Sequence, residues 1–215
     1  MNGDFQDSLA GGGFTWGRLQ LTAGNLEIQN VAGDLAVDQA GPGRDGDYHK
    51  LDLQLDRSQH LAPGWSIHAA FSGQLADTNL GSSEKFALGG PNGVRAYPVN
   101  EASGDEGWLL NLELQRDLAN LLGLGWQAKA FVDTGRIRLN KETWPGWEGG
   151  SAIPNRYSLS GIGLGLDWNR PGDWLFSTTM ALPLGNNPGQ TATERNNDGT
   201  NPDAARFWLS LTKFF

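Results

Sequence analysis

The stretch LGGPNGVRAYP, residues 88–98, places one cation, Arg95, between Val94 and the aromatic Tyr97, among the glycines Gly89, Gly90 and Gly93. A guanidinium presents five N–H donors in a rigid fork, and a carboxylate can accept two of them side by side. Two carboxylates stand out further along. Asp133 lies in AFVDTG with Phe131 and Gly135, and Glu113 lies in EGWLLNLELQ. Other chemistries find less support. ERNNDGTNPDAA has Asn196, Asp198 and Gly199 at positions 3, 5 and 6 of a calcium loop, but Glu194 and Ala205 fail at positions 1 and 12. His49, His60 and His68 lack metal-ligand spacing, and without cysteine there is no thiolate site. GGPNG is not followed by Gly-Lys-Ser/Thr and is no phosphate loop. No nucleophile–base pair and no carboxylate dyad emerges. The residues point to no enzyme, no metal and no cofactor.

The elements that must position these side chains are strands. The chain has 215 residues, net charge −8, 31 glycines and 9 tryptophans. Its pI near 4.8 argues against a nucleic-acid partner. Hydrophobic residues make up 38%, and no apolar run reaches the length of a membrane-spanning helix. The start, MNGDFQDSL, has neither a basic nor an apolar leader region. On that ground the chain is expected to be either cytoplasmic or only part of a gene product.

Alternation of period two marks eight strands. In EGWLLNLELQ, Trp108, Leu110, Leu112 and Leu114 share a face opposite Asn111, Glu113 and Gln115. In LGWQAKAFVDTG, Leu124, Trp126, Ala128, Ala130 and Val132 oppose Gln127, Lys129, Phe131 and Asp133. The remaining strands lie in FTWGRLQLTA, HKLDLQLD, WSIHAAFSGQL, SGIGLGLDW, WLFSTTMAL and RFWLSLTKFF. Connections alternate in length, with 24–46, 77–105, 139–156 and 184–204 long, and 58–63, 117–123 and 169–172 short. A transmembrane barrel has short periplasmic turns and longer extracellular loops. Trp65, Trp126, Trp168 and Trp174 all flank short connections, as a girdle at one membrane interface would. Lys129 and Asp133 oppose the apolar set, which puts lipid outside and a polar lumen inside. The alternatives are a small self-contained membrane barrel and a soluble acidic sandwich that binds carbohydrate.

LGGPNGVRAYP, the strand segment NEASGDEGWLLNLELQ, the F-x-D-x-G pattern in AFVDTG and the phenylalanine-ended FWLSLTKFF together resemble outer-membrane transporters of two-partner secretion, the hemolysin activation/secretion proteins. The resemblance runs from about GDFQDSLAGGG to the end of the chain. It implies an all-β fold, a transmembrane antiparallel β-barrel of sixteen strands behind a plug helix and two POTRA domains. Residues 1–215 would supply the last eight strands, without signal peptide or POTRA domains. It implies that loop 77–105 folds into the lumen and that Arg95 meets Asp133, with Phe131 packed on the loop. The glycines would let backbone run close to the wall. Glu113 is equally a second carboxylate for Arg95 or a wetted wall residue. Ala96 replaces the glycine of the family's V-R-G-[FY] signature. Phe207, Leu209, Leu211 and Phe215 would form the membrane-insertion signal. Implied partners are a secreted exoprotein, outer-membrane lipid and the barrel assembly machinery, with no nucleic acid and no nucleotide.

Overall fold

The computed structural model describes residues 1–28, 33–118, 125–149, 152–170, 173–191 and 193–214. Its strands are β1 (Asn2–Asp7), β2 (Gly13–Leu26), β3 (Gly46–Ala62), β4 (Trp65–Ala76), β5 (Phe86–Ala87), β6 (Ser103–Gly104), β7 (Glu106–Asp117), β8 (Gly125–Arg138), β9 (Arg156–Arg170), β10 (Trp174–Pro183) and β11 (Arg206–Lys213). A short helix, α1 (Asp34–Ala40), sits in the connection after β2. One nine-stranded antiparallel sheet runs β1-β2-β3-β4-β7-β8-β9-β10-β11, and β5 pairs with β6 inside the loop between β4 and β7. The sheet is all antiparallel and meanders through consecutive neighbours. Among the described residues, β1 and β11 are its two free edges.

The alternation predicts eight strands, and the ninth is β1. Its sequence, NGDFQD, has a single large apolar residue, so side-chain patterning gives no signal. Backbone pairing with β2 defines it instead, with Asp4 opposite Trp16 and Phe5 opposite Thr15. The strands also extend beyond their apolar runs. β3 is 17 residues long, and only Pro63 and Gly64 separate it from β4. Gly64, at φ +72°, supplies the left-handed residue that so tight a turn needs.

The two faces differ as the alternation requires. The outward face carries exposed Leu21, Leu75, Leu164, Phe207, Leu209 and Leu211. A water-soluble fold would bury this apolar surface, whereas a lipid-facing sheet displays it. The core lies on the other side. Leu88, Val94, Ala96, Tyr97 and Ala102 of the 77–105 loop pack against Leu109, Phe131, Ile137, Tyr157, Leu159 and Ala181 of the sheet. The inner face is therefore apolar where the loop docks and polar elsewhere.

At the end with the short connections, Trp126 stands opposite Trp168, and their rings stack with centroids 6.3 Å apart. Arg116 lies 5.0 Å from the centre of the Trp65 ring and Lys213 lies 4.7 Å from that of Trp174. Both distances suit cation–π contacts. All four tryptophans thus lie near one end of the sheet, each paired with an aromatic or a cation. Phe207, Leu209 and Leu211 share the outward face of β11, and Phe215 lies outside the described residues.

Candidate functional site

The loop between β4 and β7 is a compact body held by its own backbone. Val94 N–H donates to Leu88 O at 2.7 Å, Gly93 N–H to Gly90 O at 3.0 Å, and Tyr97 N–H to Val94 O at 3.0 Å. Gly90 adopts φ +127°, a region that side chains disfavour. A Cβ at Gly93 would sit 1.9 Å from Leu88 O, so this crossing of backbone on backbone admits glycine alone. Ala96 is not among the residues with positive φ. The position tolerates a side chain, and its methyl is buried against β9. A Cβ added at Gly161 would lie 2.6 Å from that methyl.

Arg95 projects from this body onto β7 and β8. Its Nε donates to Asp133 Oδ2 at 2.9 Å and its Nη2 to Asp133 Oδ1 at 2.7 Å, a two-pronged grip. The Arg95 backbone N–H donates to the same Oδ2 at 3.0 Å. Asn111, opposite Asp133 in register, donates to Asp133 Oδ1 at 2.7 Å and to Gly93 O at 2.9 Å. The fully buried Asp133 carboxylate thus accepts four hydrogen bonds, about its full capacity. Arg95 Nη1 reaches Glu113 Oε1, so Glu113 is a second carboxylate for the guanidinium. The guanidinium carbon lies 3.4 Å from the centre of the Phe131 ring. Alternation turns that ring inward, and Gly163 opposite it leaves the room: a Cβ there would come within 2.3 Å of the ring. Burial disfavours the charged guanidinium, but hydrogen bonds and charge from Asp133 and Glu113 outweigh it and raise its pKa above the ordinary value.

The loop touches more than two strands. Trp208 of β11 donates its indole N–H to Arg95 O at 2.8 Å. Gly135 lies under Leu88, and a Cβ at that position would be 2.5 Å from the leucine. A charge chain continues along the inner face from Glu113 towards Lys129, which pairs with Asp167 at 2.8 Å. Tyr97 is wholly buried, and burial, with the charges of Glu101 and Asp203 behind it, pushes its hydroxyl up to about 12.

The base of the loop is tied to its neighbours. Buried Asp105 accepts from Leu80 N–H at 3.1 Å and Lys141 N–H at 2.7 Å, and pairs with Lys85 at 2.7 Å. Glu101, also buried, accepts from Asn187 Nδ2 at 2.6 Å and Asn197 N–H at 2.8 Å, which fastens the 184–205 connection to the loop. Asp198 in that connection accepts from Thr200 and Arg206. Burial raises the Asp198 pKa, but the hydrogen bonds from Thr200 and the contact with Arg206 outweigh it, and the net shift is downward.

Asn111, Trp208, Gly161, Gly163, Glu101 and Asp105 belong to this arrangement without having been singled out in the sequence. Two of them left a signal. Trp208 is a large aromatic on the polar side of an alternating strand, and Asn111 falls opposite Asp133 once β7 and β8 are aligned. Glu101 and Asp105 sit in irregular loop, where no periodicity reports burial.

Comparison with known proteins converges on one family. The model of the haemolysin secretion/activation protein family ShlB/FhaC/HecB matches residues 15–168. Two relatives are each named heme/hemopexin transporter protein HuxB. The one from Haemophilus influenzae strain 86-028NP is 29% identical over 164 residues, covering 76% of this chain and 26% of the relative. The other, also from Haemophilus influenzae, is 30% identical over the same lengths. The chain therefore spans about a quarter of these relatives. Among solved structures, CdiB from Escherichia coli superposes with a TM-score of 0.65 at 20% identity, over 97% of this chain and 34% of that one. This likeness supports the fold. With the match over residues 15–168 and an outward apolar, antiparallel sheet, the chain belongs to the haemolysin secretion/activation family ShlB/FhaC/HecB, whose members are outer-membrane β-barrel proteins of secretion and transport and not enzymes.

Proposed function

We propose that residues 1–215 form the C-terminal part of an outer-membrane pore that passes an unfolded partner exoprotein, an adhesin or hemolysin, to the cell surface by two-partner secretion. The observation that carries this reading is the seating of the 77–105 loop on the inner face through Arg95, Asp133 and Glu113. A loop held there by one saturated carboxylate partly fills the space that a translocating chain must use, and its position controls how much space is left. No nucleotide is at hand outside the inner membrane, so folding of the cargo at the cell surface supplies the drive. An extended chain can pair with strand edges or run along a polar wall during passage. In this reading Gly89, Gly90, Gly93, Val94 and Tyr97 shape the loop, Phe131, Asp133 and Gly135 receive it, and Phe207, Leu209 and Leu211 with Phe215 are read during insertion.

The test uses the full-length protein. Arg95→Ala and Asp133→Ala are expected each to cut secretion of the partner severely while outer-membrane levels and heat-modifiable migration stay near wild type. Normal secretion by either variant would overturn the role given to the loop.

A further inference from the structure

We infer that the outward rim formed by β7, β8 and β9, at the end with the long connections, binds the phosphate groups of a phosphorylated glycolipid in the surrounding bilayer. The inference rests on the outer-membrane reading above. It concerns the outer surface, away from the loop and the lumen.

The sheet register places Arg138 opposite Arg156, and Arg136 opposite Trp108 on one side and Ser158 on the other. These arginines share the outward parity of Val132, Ile162 and Leu164. Like charges directly opposite each other destabilise a strand pair. One carboxylate answers them: Glu106 pairs with Arg138 at 2.8 Å and also with Lys141 at 2.6 Å. Arg136 and Arg156 are both exposed, and among the described residues neither makes an ion pair or a side-chain hydrogen bond. Arg138 Nε is buried with no acceptor. Among the described outward positions at this end of β7, β8 and β9, three arginines thus stand against one carboxylate, Glu106, in a chain of net charge −8.

The surroundings select the anion. A depression of about 290 Å³ lies between Leu75, Trp108, the three arginines and Glu106, whose carboxylate is engaged by Arg138 and Lys141. Below it the outward face is apolar, with exposed Leu112, Val132, Ile162 and Leu164. Between the two zones lies a narrow hydroxyl band, where Thr134 and Ser160 are hydrogen-bonded at 2.8 Å and Ser158 is exposed. Cationic forks above hydroxyls above an alkyl surface complement a molecule with phosphate, sugar and acyl chains in that order. Guanidinium groups grip phosphate through paired N–H donors, as they do carboxylate. A free anion would make no use of the apolar floor.

Native mass spectrometry of the full-length protein in detergent tests this with three probes: bisphosphorylated lipid A, the same lipid dephosphorylated, and inorganic phosphate. Wild type is expected to retain the bisphosphorylated lipid on the order of tenfold more than the dephosphorylated one, and the Arg136→Ser/Arg156→Ser double variant to lose that preference. Equal retention of the two lipids, or unchanged preference in the variant, overturns the inference and leaves the outer-membrane reading intact. Retention of inorganic phosphate in competition with lipid would mark a free-anion site and overturns it as well. Heat-modifiable migration is measured on the same samples. A wild-type protein that never becomes heat-modifiable would sink the membrane reading, and the inference with it.

Discussion

At the residue scale, Asp133 is the fixed point. Four donors converge on its carboxylate, three from Arg95 of the loop and the fourth from Asn111, which also holds the loop at Gly93 O. Removing one partner of a buried pair costs roughly 3–5 kcal/mol, mostly because the other is left without compensation. Arg95→Ala and Asp133→Ala should therefore each undock the loop, and the double variant should be little worse than either, as strong coupling in a cycle requires. Arg95→Lys should restore little, since one ammonium cannot hold both Asp133 oxygens and Glu113. Additive losses in loop protection, measured by hydrogen exchange over residues 88–98, would show that the two residues act separately. A second residue-scale outcome concerns Ala96 and Gly161. Gly161→Ala puts a methyl 2.6 Å from the Ala96 methyl and should expose the loop tip to protease. Pairing it with Ala96→Gly leaves Leu182 O at 3.3 Å as the nearest neighbour and should largely rescue the loop. Failure of that rescue would mean that Gly161 matters for another reason, such as backbone freedom in β9.

At the element scale, the long connections form a linked set rather than separate excursions. Asn79 donates to Pro42 O at 2.6 Å and Glu142 O at 3.0 Å, and Asp105 and Glu101 make the further ties described above. The loop that enters the sheet is consequently tied to those that do not. Glu101 is the tie to the 184–205 connection. Glu101→Ala leaves one N–H of the buried Asn187 amide without an acceptor, at about 1–3 kcal/mol, and releases the Asn197 N–H to solvent. Residues 184–205 should then exchange amide protons faster, while β7 and β8 keep their protection. Unchanged exchange there would show that the connection is held by something other than Glu101. The alternation of long and short connections was legible in the sequence because turn residues interrupt the strand pattern. Short of the family signature, no local pattern marks one long connection as the one that docks on the inner face. That choice depends on glycines and a buried carboxylate, Asp133, whose partners lie 22 to 38 residues away.

At the scale of the whole molecule, the nine-stranded sheet has two unpaired edges among the described residues. In hydrocarbon each exposed N–H or C=O costs several kcal/mol, so the sheet must close with other strands. Expressed alone, residues 1–215 should aggregate or remain unfolded in detergent, and should produce no uniform single-channel conductance. A defined conductance from the purified chain would show that these strands close on themselves. The outward apolar face and the inward loop also make the molecule inside-out relative to a soluble protein. Its best-packed residues belong to the loop and the wall beneath it, and its outer leucines and phenylalanines are left to the bilayer.

By itself the sequence determined the strand period, the lipid-facing parity of the eight patterned strands, the tryptophan end and the family-defining loop. All of these are local: alternation and turn chemistry are set by neighbours within a few residues, and an inward Asp133 follows from an outward Val132. Tertiary structure decided the rest. It added β1, whose backbone pairs although its side chains carry no pattern. It also brought Trp208 to the Arg95 carbonyl, 113 residues away, and gathered Arg136, Arg138 and Arg156 on one rim. Register and sheet curvature set such distances, and both are collective properties of the paired backbone that no single segment encodes.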